Sequence, residues 1–262
     1  MPVDRLLAAA LGGVALVGAV LARRWPAAAW AGAWTTALAL GAWLAARWVA
    51  AGHPPVFGTF ETDLAQTLVL LLSGLWLARR EGPAYLCGPL VVAALTFAHT
   101  FALRPEITPV TISEQSLWID LHAVLAWVAW AAYFHALFLA LAAAPEAPEA
   151  PAPREGRALR ALGLAFVAQS AMGFVGVYYA TLLFARPWEW DPVQTLGLLS
   201  WLLCALCLHL RLFFGASLHR QRVFLAVVLV AFVVSAKLVM FLGSAQSFHV
   251  FELGSMAGPG PK

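Results

Sequence analysis

Charge is what this sequence has least of. Asp, Glu, Lys and Arg supply only 11% of its 262 residues, less than half of the roughly 25% that a soluble domain carries. That shortage excludes an ordinary soluble domain, and a mean hydropathy of +0.82 agrees. Basic runs are missing as well. The net charge of +3 comes from scattered loop arginines, with no patch of the kind that binds nucleic acid. Cysteines are few: Cys87, Cys204 and Cys207, all inside apolar runs. No extracellular disulfide framework follows from such placement. No CxxCH is present either, so the chain does not itself carry covalently attached c-type haem. Cys204 and Cys207 lie three apart and share one helix face. They read as small packing residues, with a redox pair as the alternative.

What the chain does have is long apolar runs. About eight stand out, at 6–21, 27–50, 64–78, 86–103, 117–143, 161–183, 196–214 and 223–242. About 20 apolar residues at 1.5 Å rise cross the hydrocarbon core, and in lipid only helices and closed barrels satisfy their backbone. The expected fold is therefore all-α: one polytopic membrane helical bundle over residues 1–262, with about eight transmembrane helices. The first run is followed at once by Arg23 and Arg24, so it reads as a signal anchor or first helix rather than a cleaved peptide.

Arginines orient the bundle. Short loops rich in Lys and Arg stay cytoplasmic. The odd connections hold Arg23 and Arg24, then Arg79 and Arg80, then Arg154, Arg157 and Arg160, then Arg220 and Arg222. The even ones hold only Arg47, Arg104 and Arg186. Odd connections are thus expected in the cytoplasm, and both termini outside. Residues 145–157 open with PEAPEAPAP and form a Pro/Ala-rich cytoplasmic spacer between the two halves.

The even, outer connections carry the unusual residues. Residues 52–63 read GHPPVFGTFETD, and residues 184–195 read FARPWEWDPVQT. In the latter, Asp191 suits a helix N-cap, Pro192 the first helical position, and Gln194 the partner position of a capping box. Trp188 and Trp190 suit an interfacial aromatic belt. Histidines stand close to the same face. His122 lies near the outer start of the fifth run and His249 just past the outer end of the eighth. Two imidazoles can bind a flat haem from both sides, and an aromatic loop suits a large apolar macrocycle. His209 falls about 22 Å inside the seventh run, where an ionisable group is a functional candidate by default. His135 lies at similar depth on the fifth. The two histidines face each other, pair with a partner protein, or (for His135) serve as a hydrogen-bonded packing residue. Lys237 snorkels outward or pairs with Asp120 or a haem propionate, for which Arg104 and Arg186 are other candidates. His53 and His99 rank behind His122 on the outer face. His219, in a cytoplasmic connection, reads as solvated.

These motifs resemble those of the CcsA/ResC and CcmC/CcmF haem-handling proteins of cytochrome c assembly. Trp188-Glu-Trp190-Asp191-Pro192 resembles their tryptophan-rich WWD signature, W-x-W-D-P-K-E-x-W. GHPPVFGTFET resembles the G-H-F-P-x-x-x-x-Y-E-S of the CcsA branch. Residues 116–122, SLWIDLH, resemble the segment bearing that family's first external histidine. Residues 200–211, SWLLCALCLHLR, resemble W-L-x-Y-A-x-Y-L-H-x-R, which bears its membrane histidine. The likeness runs from about residue 52 to 249. Val193, Gln194 and Leu196 stand where the family has Lys, Glu and Trp. Phe184 and Ala185 replace its upstream W-G. His249 sits in SFHV rather than G-L-H-S-Y-G.

The resemblance implies a system II type component of cytochrome c biogenesis in a bacterial-type cytoplasmic (inner) membrane, with a place in a cytochrome c haem-lyase (synthase) complex as one reading of its activity. It would work with a ResB/CcsB-like membrane partner. Haem b would be held transiently and non-covalently on the outer face by His122 and His249, against the loop bearing Trp188, Trp190 and Asp191. It would then be presented to the CxxCH of an apocytochrome c. His209 would contribute to a membrane haem site completed by the partner. Two other readings remain. One is a HemX-like membrane regulator of tetrapyrrole biosynthesis. The other is a cofactor-free permease, against which stands the lack of acidic residues in the span interiors.

Overall fold

A computed structural model describes residues 3–56, 58–107, 116–143 and 153–237. Among them lie eight α-helices and no strand: α1 (Val3–Leu21), α2 (Pro26–Ala51), α3 (Thr59–Glu81), α4 (Cys87–Thr100, preceded by a 3₁₀ turn at Pro83–Leu86), α5 (Leu117–Ala142), α6 (Pro153–Phe184), α7 (Pro192–Phe214) and α8 (Arg222–Lys237). The chain is a helical membrane bundle. Among the described residues, five segments are long and apolar enough to cross a membrane, fewer than the eight expected: Val3–Leu21, Pro83–Thr100, Leu117–Ala142, Arg154–Phe184 and Pro192–Phe214. The shortfall has local reasons. α3 carries Glu61, Asp63, Arg79, Arg80 and Glu81. α2 dilutes its alanines with Trp, Thr and Arg47. α8 has 16 described residues.

Helix ends follow local chemistry. Pro26 opens α2 and Pro192 opens α7, each near the first helical position, where a missing N–H costs nothing. Gly52 and Gly215 close the same two helices in the left-handed conformation, which favours a residue without Cβ. Two helices outrun their apolar cores. α3 begins at Thr59 rather than 64, and α6 at Pro153 rather than 161. Their extra turns are charged, so hydropathy does not mark them; ion pairing in the folded chain does. Arg154 and Arg157 of α6 both meet Glu81 at the end of α3.

The helices form two four-membered groups. α1 packs on α2 and α4, and α3 on both α2 and α4; α5 packs on α6 and α8, and α7 on both α6 and α8. α3 against α5 joins the groups. Each has its own core. Leu40, Leu64, Leu71, Leu90 and Phe97 fill the first; Tyr133, Leu139, Leu162, Leu225, Cys204 and Cys207 fill the second. Trp127 of α5 reaches into the first, and Leu70 of α3 into the second. Small residues let the helices approach closely: a Cβ built on Gly32 would stand 3.1 Å from the Cα of Gly18, as packing in lipid favours. Cys204 and Cys207 sit at zero exposure in that second core, while Cys87 is half-buried.

Contacts at the helix ends show that the even connections share one end of the bundle and the odd connections the other. At the first end, Arg47 near the end of α2 meets Asp4 of α1, Glu61 of α3 and the Pro105 carbonyl. At the opposite end, Glu81 meets the start of α6. His219 there is half-buried, with its Nδ1–H donating 2.9 Å to the Ala140 carbonyl. It is a docked side chain, not the solvated one expected, because the turn before α8 folds back onto α5.

Candidate functional site

The even-connection end is built from polar groups that the helices bury. Arg47, 6% exposed, is the centre of one cluster. Its Nε donates 3.0 Å to Glu61 Oε1, its Nη1 3.1 Å to Asp4 Oδ1, and its Nη2 2.8 Å to the Pro105 carbonyl. The Trp43 indole N–H donates to the same Asp4 oxygen, and the guanidinium lies over the Phe60 ring. Asp63, fully buried, is the centre of a second. It accepts from His99 Nδ1–H at 2.7 Å, from Gln66 at 2.8 Å and from Lys237. Lys237 thus pairs with Asp63 rather than with Asp120. Glu61 and Asp63 lie in the first turns of α3 rather than in the loop before it. They read as loop residues because α3 starts five residues earlier than its apolar run.

His122 stands five residues into α5. Ser116 caps that helix, accepting from the Trp118 N–H at 3.3 Å. Trp118 meets Tyr178 of α6 edge-on at 4.8 Å. One turn deeper the His122 ring packs against α6. A Cβ on Gly176 would stand 2.9 Å from His122 Cε1 and 3.0 Å from its Nδ1. Glycine is therefore required there for space. His122 Nδ1–H donates 3.0 Å to the Met172 carbonyl. The carbonyl can only accept, so Nδ1 carries the proton. In the neutral ring Nε2 then holds the lone pair, the form in which histidine ligates a metal.

Eight residues beyond Gly176, about 12 Å along the axis, α6 ends and the tryptophan loop begins. Ala185 and Trp190 both adopt positive φ, 55° and 57°, a strained choice for residues with side chains. Hydrogen bonds hold the loop in that shape. Arg186 donates 2.7 Å to Glu189, which holds the guanidinium above its ordinary value. Asp191 caps α7 by accepting from Gln194 N–H at 2.7 Å. Gln194 reaches back, but to the Glu189 N–H at 3.0 Å rather than to the cap residue as a capping box would. Trp188 and Trp190 meet edge to face at 5.5 Å. Trp190 stands 71% exposed, while the Trp188 Nε1–H is buried without an acceptor among the described residues.

The deeper histidines are not brought together. His135 is 3% exposed, with Nε2 at 2.7 Å from Ser73 Oγ and Nδ1 at 2.7 Å from Tyr85 Oη. Both ring nitrogens are engaged, one by α3 and one by the 3₁₀ turn before α4, as befits a packing histidine. His209 lies 17 residues into α7, about 26 Å from its start, on an exposed face with Leu202, Leu206 and Phe213. Its Nδ1–H donates 2.7 Å to the Ala205 carbonyl, and its ring stacks on Phe213. His53 is buried, with Nδ1–H donating to the Pro54 carbonyl, and lies within electrostatic reach of Asp120. His249 lies outside the described residues. The residues that sequence reasoning missed are Gly176 and the Arg47 and Asp63 clusters. Arg47 and Lys237 inside apolar runs were the available signals for buried acidic partners.

Fold and site together define a polytopic helical membrane protein with a histidine and a strained tryptophan loop at one end. The chain matches the cytochrome C assembly protein family over residues 56–246 and belongs to it, which places it in cytochrome c biogenesis. Its fold is similar to that of the solved "Cytochrome c Heme Lyase CcmF", with a TM-score of 0.68 at 19% identity. The similarity covers 89% of this chain and 45% of that one, so this chain spans under half of its length. No curated protein matches the chain.

Proposed function

We propose that the chain holds haem b, non-covalently and as cargo, at the outer face of a bacterial-type inner membrane. His122 and His249 are its axial ligands, and it is presented to the CxxCH of an apocytochrome c. The observation that carries this reading is the His122 niche. The Met172 carbonyl fixes the tautomer and Gly176 makes the room, so the ring is held with Nε2 as its ligating nitrogen. The donor set suits iron, since imidazoles ligate haem iron well. Trp190 supplies an exposed aromatic face. The buried Trp188 N–H fits an acceptor brought by the cargo, such as a propionate, because an indole donor is costly to leave unmet. Asp191 holds the loop by capping α7. Arginine bias puts the odd connections in the cytoplasm, and so this site and both termini outside.

His209 belongs to a second, membrane-depth site. It stands on an exposed, otherwise apolar helix face, where a ring with its Nδ1–H already engaged offers Nε2 to a neighbour. A ResB/CcsB-like membrane protein is the partner that would cover that face and supply the other ligand. A HemX-like regulatory role is the second reading, favoured by Val193, Gln194 and Leu196 in place of Lys, Glu and Trp.

Visible spectra of the detergent-purified protein, oxidised and reduced, with a pyridine haemochrome assay, test the proposal. A low-spin Soret signature that is lost in His122→Ala and partly restored by imidazole is expected. Unchanged haem content in a folded His122→Ala variant would overturn the ligand assignment. Absence of haem even with a co-expressed partner would turn the reading to the regulatory alternative.

A further inference from the structure

Three polar side chains are buried at one level of the second helix group: Tyr133 of α5, Gln169 of α6 and Ser200 of α7. The Gln169 amide links them. The Tyr133 hydroxyl donates to its Oε1. Its Nε2 donates 2.9 Å to the Gly197 carbonyl and 2.8 Å to Ser200 Oγ. A carbonyl can only accept, which fixes the amide nitrogen on the α7 side. Ser200 gives its own hydrogen to the same carbonyl at 2.8 Å, so its oxygen is the acceptor for Gln169. Both amide hydrogens and the amide oxygen are thus used, and each would be costly to leave unmet in a buried position. The Tyr133 ring meets Phe232 of α8 at 5.2 Å, so all four helices of the group converge here.

The place of this node bears on the site. Gln169, Met172 and Gly176 follow one another at spacings of three and four on α6, so they share one face. Met172 and Gly176 are the residues that seat His122. Gln169 lies ~10 Å along the axis from Gly176, and Gly197 lies ~9 Å along α7 from the Asp191 cap. The node therefore stands at matching depths below the His122 niche and below the end of the tryptophan loop. α6 packs chiefly on α5, and α7 chiefly on α8. Apolar packing between α6 and α7 resists separation but has no direction. Hydrogen bonds of fixed direction hold a register.

We infer that Gln169 is a positioning residue: its amide braces α7 against the α5–α6 pair and so sets where the tryptophan loop stands relative to His122. This rests on the reading of His122 and that loop as two sides of a haem site.

Two measurements test the brace. One needs no haem: the distance between nitroxides on Val124→Cys of α5 and Leu199→Cys of α7, both exposed positions, in a Cys87→Ala background. Cys204 and Cys207 have no exposed surface and remain unlabelled. The parent should give one narrow distance. Gln169→Met keeps the length of the side chain and removes all three bonds, so the distance should shift or broaden. Ser200→Ala leaves Gln169 the Gly197 carbonyl and should behave as the parent. Tyr133→Phe leaves the amide oxygen without its donor and should fall between them; it decides the matter if Gln169→Met fails to fold. Equal distances in the parent, Gln169→Met and Tyr133→Phe would overturn the brace whatever the haem content. The second measurement is the rate of haem transfer to apomyoglobin. Gln169→Met should release haem several-fold faster yet keep the low-spin spectrum, because Met172 and Gly176 still seat His122, whereas His122→Ala loses that spectrum. Unchanged release beside a shifted distance would defeat the positioning role while His122 stands. A parent without haem would defeat the haem reading and leave the label distance to decide the brace.

Discussion

Gly176 shows how much one missing methyl group decides. The imidazole of His122 occupies the space where its Cβ would be. Gly176→Ala should therefore push His122 off the Met172 carbonyl and lower the haem retained on purification several-fold. Gly163→Ala, on the same helix with nothing within 4 Å of its added Cβ, is the control. It should keep the haem and gain up to ~1 kcal/mol from helix propensity. Equal haem in both variants would show that the niche does not govern the ligand. Arg47 decides stability rather than ligation. It satisfies two acids and a carbonyl while 6% exposed. Arg47→Met leaves Glu61 buried with its charge uncompensated, a loss of ~3–5 kcal/mol for a buried pair. A marked fall in Tm in detergent is expected. Arg47→Lys should rescue it poorly, because an ammonium lacks the planar fork that reaches three acceptors.

At the scale of elements, the 184–195 connection is held by its own hydrogen bonds and by the start of α7. Asp191→Ala removes the cap on Gln194 N–H and should cost ~1 kcal/mol. The larger effect is expected on the loop, because the Gln194 side chain that reaches Glu189 starts from the same capped turn. Trp190, at positive φ, would then relax. Tryptophan fluorescence quenching by an aqueous quencher should rise in Asp191→Ala and stay near the parent level in Asp191→Asn, which keeps an acceptor oxygen. Equal quenching in all three proteins would mean that the cap does not shape the loop. The Pro/Ala-rich stretch that opens at residue 145 carries none of the candidate site residues, and each doubling of a loop's length costs only ~0.6 kcal/mol, so a Gly-Ser insertion after Ala147 should leave Tm and haem content within error of the parent.

For the whole molecule, sidedness and the two-group architecture matter most. The arginine-rich odd connections gather at one end, and the described residues of the proposed haem site at the other. An impermeant thiol reagent on intact cells should label Trp190→Cys and spare Arg24→Cys, with both labelled after permeabilisation. The reverse pattern would invert the topology and put the proposed site on the cytoplasmic side. Labelling of the exposed face of α7 is informative in the same way. Leu206→Cys should react with a lipid-soluble probe in the isolated chain and be protected when a ResB/CcsB-like partner is co-expressed.

The sequence by itself determined the class. Scarce charge and long apolar runs demand helices in lipid, and alternating loop arginines predict which ends lie together, because both depend on composition along the chain. Local signals were legible too: Asp191 and Pro192 open α7 as their chemistry dictates, and the W-x-W-D-P resemblance led to the family. Tertiary structure alone decided what depends on approach between distant segments. His135 became a packing residue through Ser73 and Tyr85, 62 and 50 positions away. His209 was left exposed on α7, and Lys237 found an acid 174 positions earlier. Glu61 and Asp63 passed from apparent loop acids to buried helix residues. A charge is expelled from an apolar run only until a partner on another helix neutralises it, and no single stretch of sequence contains both halves of such a pair.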